Sequence, residues 1–361
     1  MVSCSDCLAV ALLSSMKLND ISPRQAGFAI TSFALGAWAF YKVNAVSGPA
    51  FEPILAACTN PDYKESMDEF VSKTGYHAYE PLVGLKIFEV LVCLITQFLL
   101  ELRMTYPAGL LTWVGVILAA QPCAVLGIAE AGRNGARGYI RYSVFAGLLA
   151  QLFGISVVTP LLWVPAYILG RGNGPISTRR AAAFIPNILP GCILTLLVFS
   201  LDTTSYAWTV CAGILGGPIL VTSPALLWTD KPPAVVTKEN TQASISSVQK
   251  AYTFVTILGT IVWIYLIYVV YDSYGSAGSF GDILVKLWSE IWIDANASVA
   301  FMTIDTIVLY IAVLLVVAYQ SFGKVAKAIV LTPLMGPAAA SLVLRELEET
   351  RYSDSSSKKE A

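Results

Sequence analysis

WIDANASVAFMTIDTIVLYIAVLLVVAYQSFGKVAKAIVLTPLMGPAAASLVLRELEE, residues Trp292 to Glu349, decides how this chain is read. It holds two apolar runs, each about long enough to cross a bilayer at roughly 20 residues per crossing. The first carries a carboxylate, Asp305, in its interior, with Asp294 just outside its start. The second carries Pro333, Gly336 and Pro337 and then ends abruptly in charge. An acid inside a membrane helix is costly, which makes Asp305 a functional candidate by default. The plain alternative is a structural acid bonded to a neighbouring helix, and the sequence weighs the two about evenly.

Composition extends that reading outward. The chain has 361 residues, 56% of them hydrophobic and only 13% charged, and its mean hydropathy is +0.67. Soluble domains carry about 25% charged residues, roughly twice this share. With 23 basic and 24 acidic side chains the net charge is −1, so there is no basic field to hold nucleic acid. Cys4 and Cys7 form a CxxC-like pair, but no second pair and a single histidine, His77, accompany it. Neither a zinc nor a redox site is expected, nor any other cofactor. No Lys or Arg precedes the first apolar patch, so no ordinary signal peptide is read there.

Hydropathy divides the chain into an N-terminal segment (1–25), one membrane domain (26–344) and a charged, Ser-rich tail (345–361) expected to be disordered. Spans are predicted near 26–46, 81–102, 108–129, 142–169, 181–201, 207–228, 251–271, 297–319 and 325–344. A long polar loop covers 47–80 and a polar linker 230–250. Ile283, Leu284, Leu287, Trp288 and Ile291 recur at helical spacing, so 279–293 reads as an amphipathic helix at the interface. Backbone groups in lipid must bond within the chain. The predicted fold is therefore an all-α, polytopic transmembrane bundle of eight or nine spans. Lys and Arg divide evenly between the two sides, leaving only a slight preference for a cytoplasmic N-terminus.

Nine spans would bring the starts of the second and eighth to one side, with Glu89 and Asp305 each about 12 Å below it. Glu130, ending the third span, and Asp294 reach the same side in that arrangement, while Glu101 falls on the other. Tyr79, Tyr206, Trp208 and Trp292 gather near this mouth. An interfacial aromatic belt accounts for them; so do ring faces that stabilise a cation above an immersed acid. Lys86, one turn before Glu89, would keep Glu89 ionised and leave Asp305 the better proton donor. No P-loop, dinucleotide fingerprint, HExxH or nucleophile elbow is present. The arginines of 133–141 and 179–180 suit anionic head groups, although charged loops beside membrane helices are ordinary.

The pattern Asp294-x-Asn296, Phe301-Met-Thr-x-Asp305, then LTPLMGPAAASLVLRELEE resembles the C-terminal half of a family of small fungal integral-membrane proteins. That family includes the membrane-bound terpene cyclases of ascochlorin- and ascofuranone-type meroterpenoid pathways. The likeness is clearest over 292–349. It implies cyclisation of a prenylated aromatic bearing a terminal epoxide, started by an acid within the bundle of a protein of the endoplasmic reticulum membrane. Asp305 and Glu89 are the first candidates for that chemistry, Asp294 and Glu130 the next, and Tyr79, Trp208, Trp292 and Tyr206 the candidate substrate contacts. Neither DxDD nor DDxxD occurs, so no magnesium is implied. The expected partners are a lipophilic small molecule and membrane lipid. A proton-coupled transporter using Glu89 and Asp305, or a non-catalytic membrane protein, is the alternative, and no internal inverted repeat is visible to favour transport.

Overall fold

A computed structural model describes residues 21–59, 94–95, 98–99, 101–177, 180–182, 184–186, 188–189, 236–275 and 278–351. Among these residues all regular structure is helical. The principal helices are α1 (Pro23–Thr59), α2 (Ala108–Ala131), α3 (Ser143–Phe153), α4 (Ile155–Gly170) and α5 (Lys238–Tyr274). They continue with α6 (Phe280–Trp288), α7 (Ala297–Gln320), α8 (Val325–Met335) and α9 (Ala339–Thr350). By length and apolar composition four stretches could cross a membrane: α2, α5, α7 and the run Phe322–Thr350.

Local chemistry sets where these helices start. Pro23 opens α1, where a missing N–H costs nothing. The Thr237 hydroxyl accepts the Asn240 N–H at the head of α5, and Asn296 Oδ1 accepts the Val299 N–H at 2.8 Å at the head of α7. Ser279 and Asp282 close a capping box on α6. Several predicted polar segments prove helical. The loop expected from 47 is helix through Thr59, the linker is helix from Lys238, and the tail is helix through Thr350. The Thr237 cap on α5 and the burial of Leu347 and Glu348 in α9 outweigh average polarity at those two places.

Two predicted spans do not cross. A straight helix over 142–169 would part its ends by about 40 Å. Instead the Arg137 N–H, just before this stretch, donates to the Gly170 carbonyl at 2.8 Å. The chain reverses at Gly154, whose φ of 89° is open to glycine and strained for other residues. Helices α3 and α4 are therefore the arms of a hairpin. The same happens over 325–344. Lys324 Nζ lies 3.2 Å from a Glu346 carboxylate oxygen, although 22 residues of straight helix would separate them by about 33 Å. Here the reversal is at Gly336, at φ 61°, where a Cβ would come within 2.6 Å of the Trp263 ring. The run Phe322–Thr350 has the composition of a span and the path of a re-entrant hairpin.

The directions of the remaining helices follow from their contacts. Arg24 Nη2 donates to the Tyr319 carbonyl, while Ala39 and Val43 pack with Ile304 and Val308, so α1 runs antiparallel to α7. Thr306 Oγ1 donates to the Thr112 carbonyl, which sets the starts of α2 and α7 at one end. Gln249 reaches the Arg345 carbonyl and Trp263 the Pro333 carbonyl, so α5 runs the other way. The near face thus carries the starts of α2 and α7. The far face carries their ends and the open ends of both hairpins. Ile257, Ile261, Ile264, Tyr265 and Tyr268 of α5 form an exposed apolar stripe, as does the set Ile30, Phe33, Phe40 and Tyr41 of α1. Stripes of that kind suit lipid.

Candidate functional site

Asp305 is the one predicted acid that the described residues bury without an ion-pair partner. It lies about 12 Å below the near face at ~1.5 Å per residue and is 3% exposed. Ile304, Val308, Val157, Ala39 and Val43 form the apolar cluster around that level. The Ser156 hydroxyl donates to Asp305 Oδ1. The Ser156 backbone N–H also lies against this carboxyl group, and no described cation pairs with it. The partner is there because of the hairpin: Gly154 turns the chain and Ser156, in the first turn of α4, meets α7.

Behind this contact α4 contains a π-turn over Thr159–Trp163 that includes Pro160. The Ser32 hydroxyl of α1 donates to the Pro160 carbonyl at 2.7 Å, a buried bond. Leu161 backbone sits so close to Gly36 that a Cβ there would meet it at 2.6 Å. Helices α1 and α4 are thereby tied about one turn beyond the Ser156–Asp305 contact. π-Turns interrupt the regular helical ladder and are frequent at functional sites.

Glu130 has a different role. Arg133 Nε approaches its Oε1 at 2.8 Å, and Arg351 grips both its oxygens at 2.5 and 2.8 Å. Arg133 also meets Glu348 at 2.6 Å. Two arginines and two glutamates, all buried, close this cluster at the far face. Because α2 runs parallel to α7, Glu130 is about 27 Å along its helix from the level of Asp305. The expected gathering of Glu130 and Asp305 at one mouth is overturned, since it depended on 142–169 and the other runs each crossing once.

Asp294 is exposed at the near face, accepting the Ser289 hydroxyl at 2.5 Å. Trp292 lies on the π-turn Ser289–Ile293 and is 44% exposed, its ring tilted on Trp288 at 5.7 Å. Glu101, expected on the opposite side, is at the near face too. It accepts the Ser298 hydroxyl, while Asn296 Nδ2 bonds Thr105 Oγ1 at 2.7 Å. Tyr274 and Glu290 are joined by a hydrogen bond, with Lys286 4.8 Å from the tyrosine ring centre. Glu89, Tyr79, Tyr206 and Trp208 lie outside the described residues. Among the described residues no three His, Cys, Asp or Glu side chains converge as metal ligands.

Sequence reasoning missed Ser156, whose only signal was the Gly-x-Ser break inside LFGISVVTP. Against family models, curated proteins and solved structures alike, the chain finds no match.

Proposed function

We propose that this chain is a membrane-embedded terpene cyclase of the endoplasmic reticulum. Its substrate would be a prenylated aromatic with a terminal epoxide, and Asp305 would give the initiating proton. The observation that carries the reading is the setting of Asp305: a carboxyl group in an apolar cluster, held by the hydroxyl and backbone N–H of Ser156 and opposed by no described cation. Its proton passes to the epoxide oxygen, a C–O bond opens, and the resulting cation is attacked by the neighbouring alkene π pair, forming a ring. A base takes a proton from the last cation, offsetting the one Asp305 gave, so the product is an isomer of the substrate. Once Asp305 has given up its proton, the Ser156 O–H donates to the carboxylate. Glu130, neutralised by two guanidinium groups, takes no part. Glu89 stays as a second proposed acid. The apolar runs at 81–102, 181–201 and 207–228 would supply further spans, and the two hairpins bring the number of full crossings below the eight or nine read from hydropathy.

The test is a microsome assay. The chain is expressed in yeast and given an epoxidised farnesyl-phenol, and extracts are compared with Asp305→Asn by mass spectrometry. The expected result is an isomeric product of unchanged mass, absent from a variant that accumulates normally. Conversion by Asp305→Asn, or none by the unaltered chain across several epoxides, would sink the proposal.

Proton-coupled transport of a small molecule is the second reading, favoured by the two re-entrant hairpins. Irregular backbone at membrane depth is tolerated where protein buries it or where it lines a water-filled path, and transporters place binding sites at such breaks. Proton-linked flux in vesicles that depends on Asp305 would support it; its absence, together with cyclase activity, would remove it.

A further inference from the structure

We infer that the far face carries a binding site for a phosphate-bearing ligand, formed by the loops that bracket the first hairpin. This is independent of the proposed cyclase activity. The loop after α2 and the loop after α4 are clamped together by backbone bonds. The Arg137 N–H reaches the Gly170 carbonyl at 2.8 Å, Gly174 the Asn134 carbonyl at 3.0 Å, and Asn134 the Pro175 carbonyl at 3.3 Å. They approach so closely that a Cβ on Gly172 would lie 2.6 Å from the Ala136 nitrogen. Between them is a cavity of about 450 Å³ lined by Asn134, Gly135, Arg137, Arg171, Asn173 and Gly174, among others.

The charge of this cavity is one-sided. Arg137 and Arg171 line it, and among the described residues no acid does. Neither arginine has a carboxylate partner among the described residues. Arg171 is steered by aromatic rings, 5.4 Å from the Tyr319 centroid and 6.0 Å from that of Tyr167. The adjoining charges cancel: Arg133 and Arg351 are matched by Glu130 and Glu348, and Arg351 Nη2 also holds the Gly172 carbonyl at 3.1 Å. Among the described residues the Arg171 side chain donates only to the Tyr167 hydroxyl, at 3.4 Å. Two guanidinium groups without a carboxylate partner, two side-chain amides and glycine-lined walls that let main chain come close are the elements that recognise phosphate oxygens. The ligand is a phosphate or diphosphate group, belonging either to a lipid head group or to a water-soluble molecule.

Full-length protein in lipid nanodiscs tests this in two arms. Inorganic pyrophosphate is titrated onto nanodiscs of neutral phosphatidylcholine, and a parallel set contains phosphatidic acid. Thermal stabilisation in the first arm identifies a soluble phosphate, and in the second a head group. In either, rising salt weakens the effect. Arg137→Gln and Arg171→Gln each weaken the response at least about tenfold, whereas Arg345→Gln, an exposed arginine elsewhere on this face, leaves it intact. Arg137 is exposed and makes no ring contact, so its replacement tests the site without disturbing the fold. No response in either arm overturns the inference. So does a response that survives the Arg137→Gln/Arg171→Gln double variant, or one that Arg345→Gln reduces equally.

Discussion

Ser156 and Asp305 meet because one glycine turns a helix back on itself, and the pair gives the sharpest single-residue expectation. Ser156→Ala removes the hydroxyl that donates to Asp305. Losing a hydrogen bond to a charged group costs on the order of 1.5–3 kcal/mol, roughly a ten- to hundredfold fall in turnover if the bond forms to the carboxylate. Microsomal product formation would read this, and Ser156→Thr, which keeps a hydroxyl, should recover part of it. Glu130→Gln should act differently. It leaves Arg133 and Arg351 buried and short of a charge, a destabilisation of about 3–5 kcal/mol. Its effect should appear as a lower melting temperature in detergent, with turnover per folded molecule unchanged. Asp305 was legible in the sequence because it is the single acid inside its apolar run. Ser156 was not, since a serine in an apolar run says nothing about which helix it will face. Glu130 looks like a site acid in the sequence because Arg133 alone is near it there; its second partner, Arg351, and the Glu348 that shares both arginines come from far along the chain.

At the scale of elements, the two hairpins depend on backbone geometry at their tips. Gly154→Ala and Gly336→Ala each force a side chain into the left-handed region, at about 1–2 kcal/mol. Gly336→Ala should cost more, because its Cβ also meets the Trp263 ring. Thermal unfolding of the purified variants would order them. Equal stability for Gly336→Ala and the unaltered chain would argue against the turn. Hydropathy could not separate a hairpin from a crossing here. It reports the solvent a segment prefers, and LFGISVVTPLLW prefers lipid or protein interior whichever way the chain then travels. The break signals were visible, Gly154 in one run and Pro333-x-x-Gly336-Pro337 in the other, yet proline and glycine also occur in straight membrane helices.

For the molecule as a whole, the hairpins move loops from one side to the other. Nine single crossings put Arg141 and Asn173 on opposite sides, and likewise Ser321 and Thr350. The structure puts both pairs at the far face. In a cysteine-free background, Arg141→Cys and Asn173→Cys should react with an impermeant maleimide from the same side of a sealed vesicle, as should Ser321→Cys and Thr350→Cys. Reaction of either pair from opposite sides would restore the crossing. The all-helical, membrane-compatible character was legible from composition alone. The parallel placement of α2 and α7 was not, because each fold-back mistaken for a span inverts the direction of everything after it.

The reversal at Gly154 also sets two helix ends side by side. Peptide dipoles leave about half a positive charge at a helix's amide end and half a negative one at its carbonyl end. The carbonyl end of α3 and the amide end of α4 therefore share one tip, and Ser156, in the first turn of α4, is bonded to Asp305. A reaction that parts a proton from Asp305 and sends positive charge along a polyene would find both signs already in place. The carboxylate would sit against the amide end, and the carbonyl end would offer a counter-pole for the cation, with no water needed to screen either.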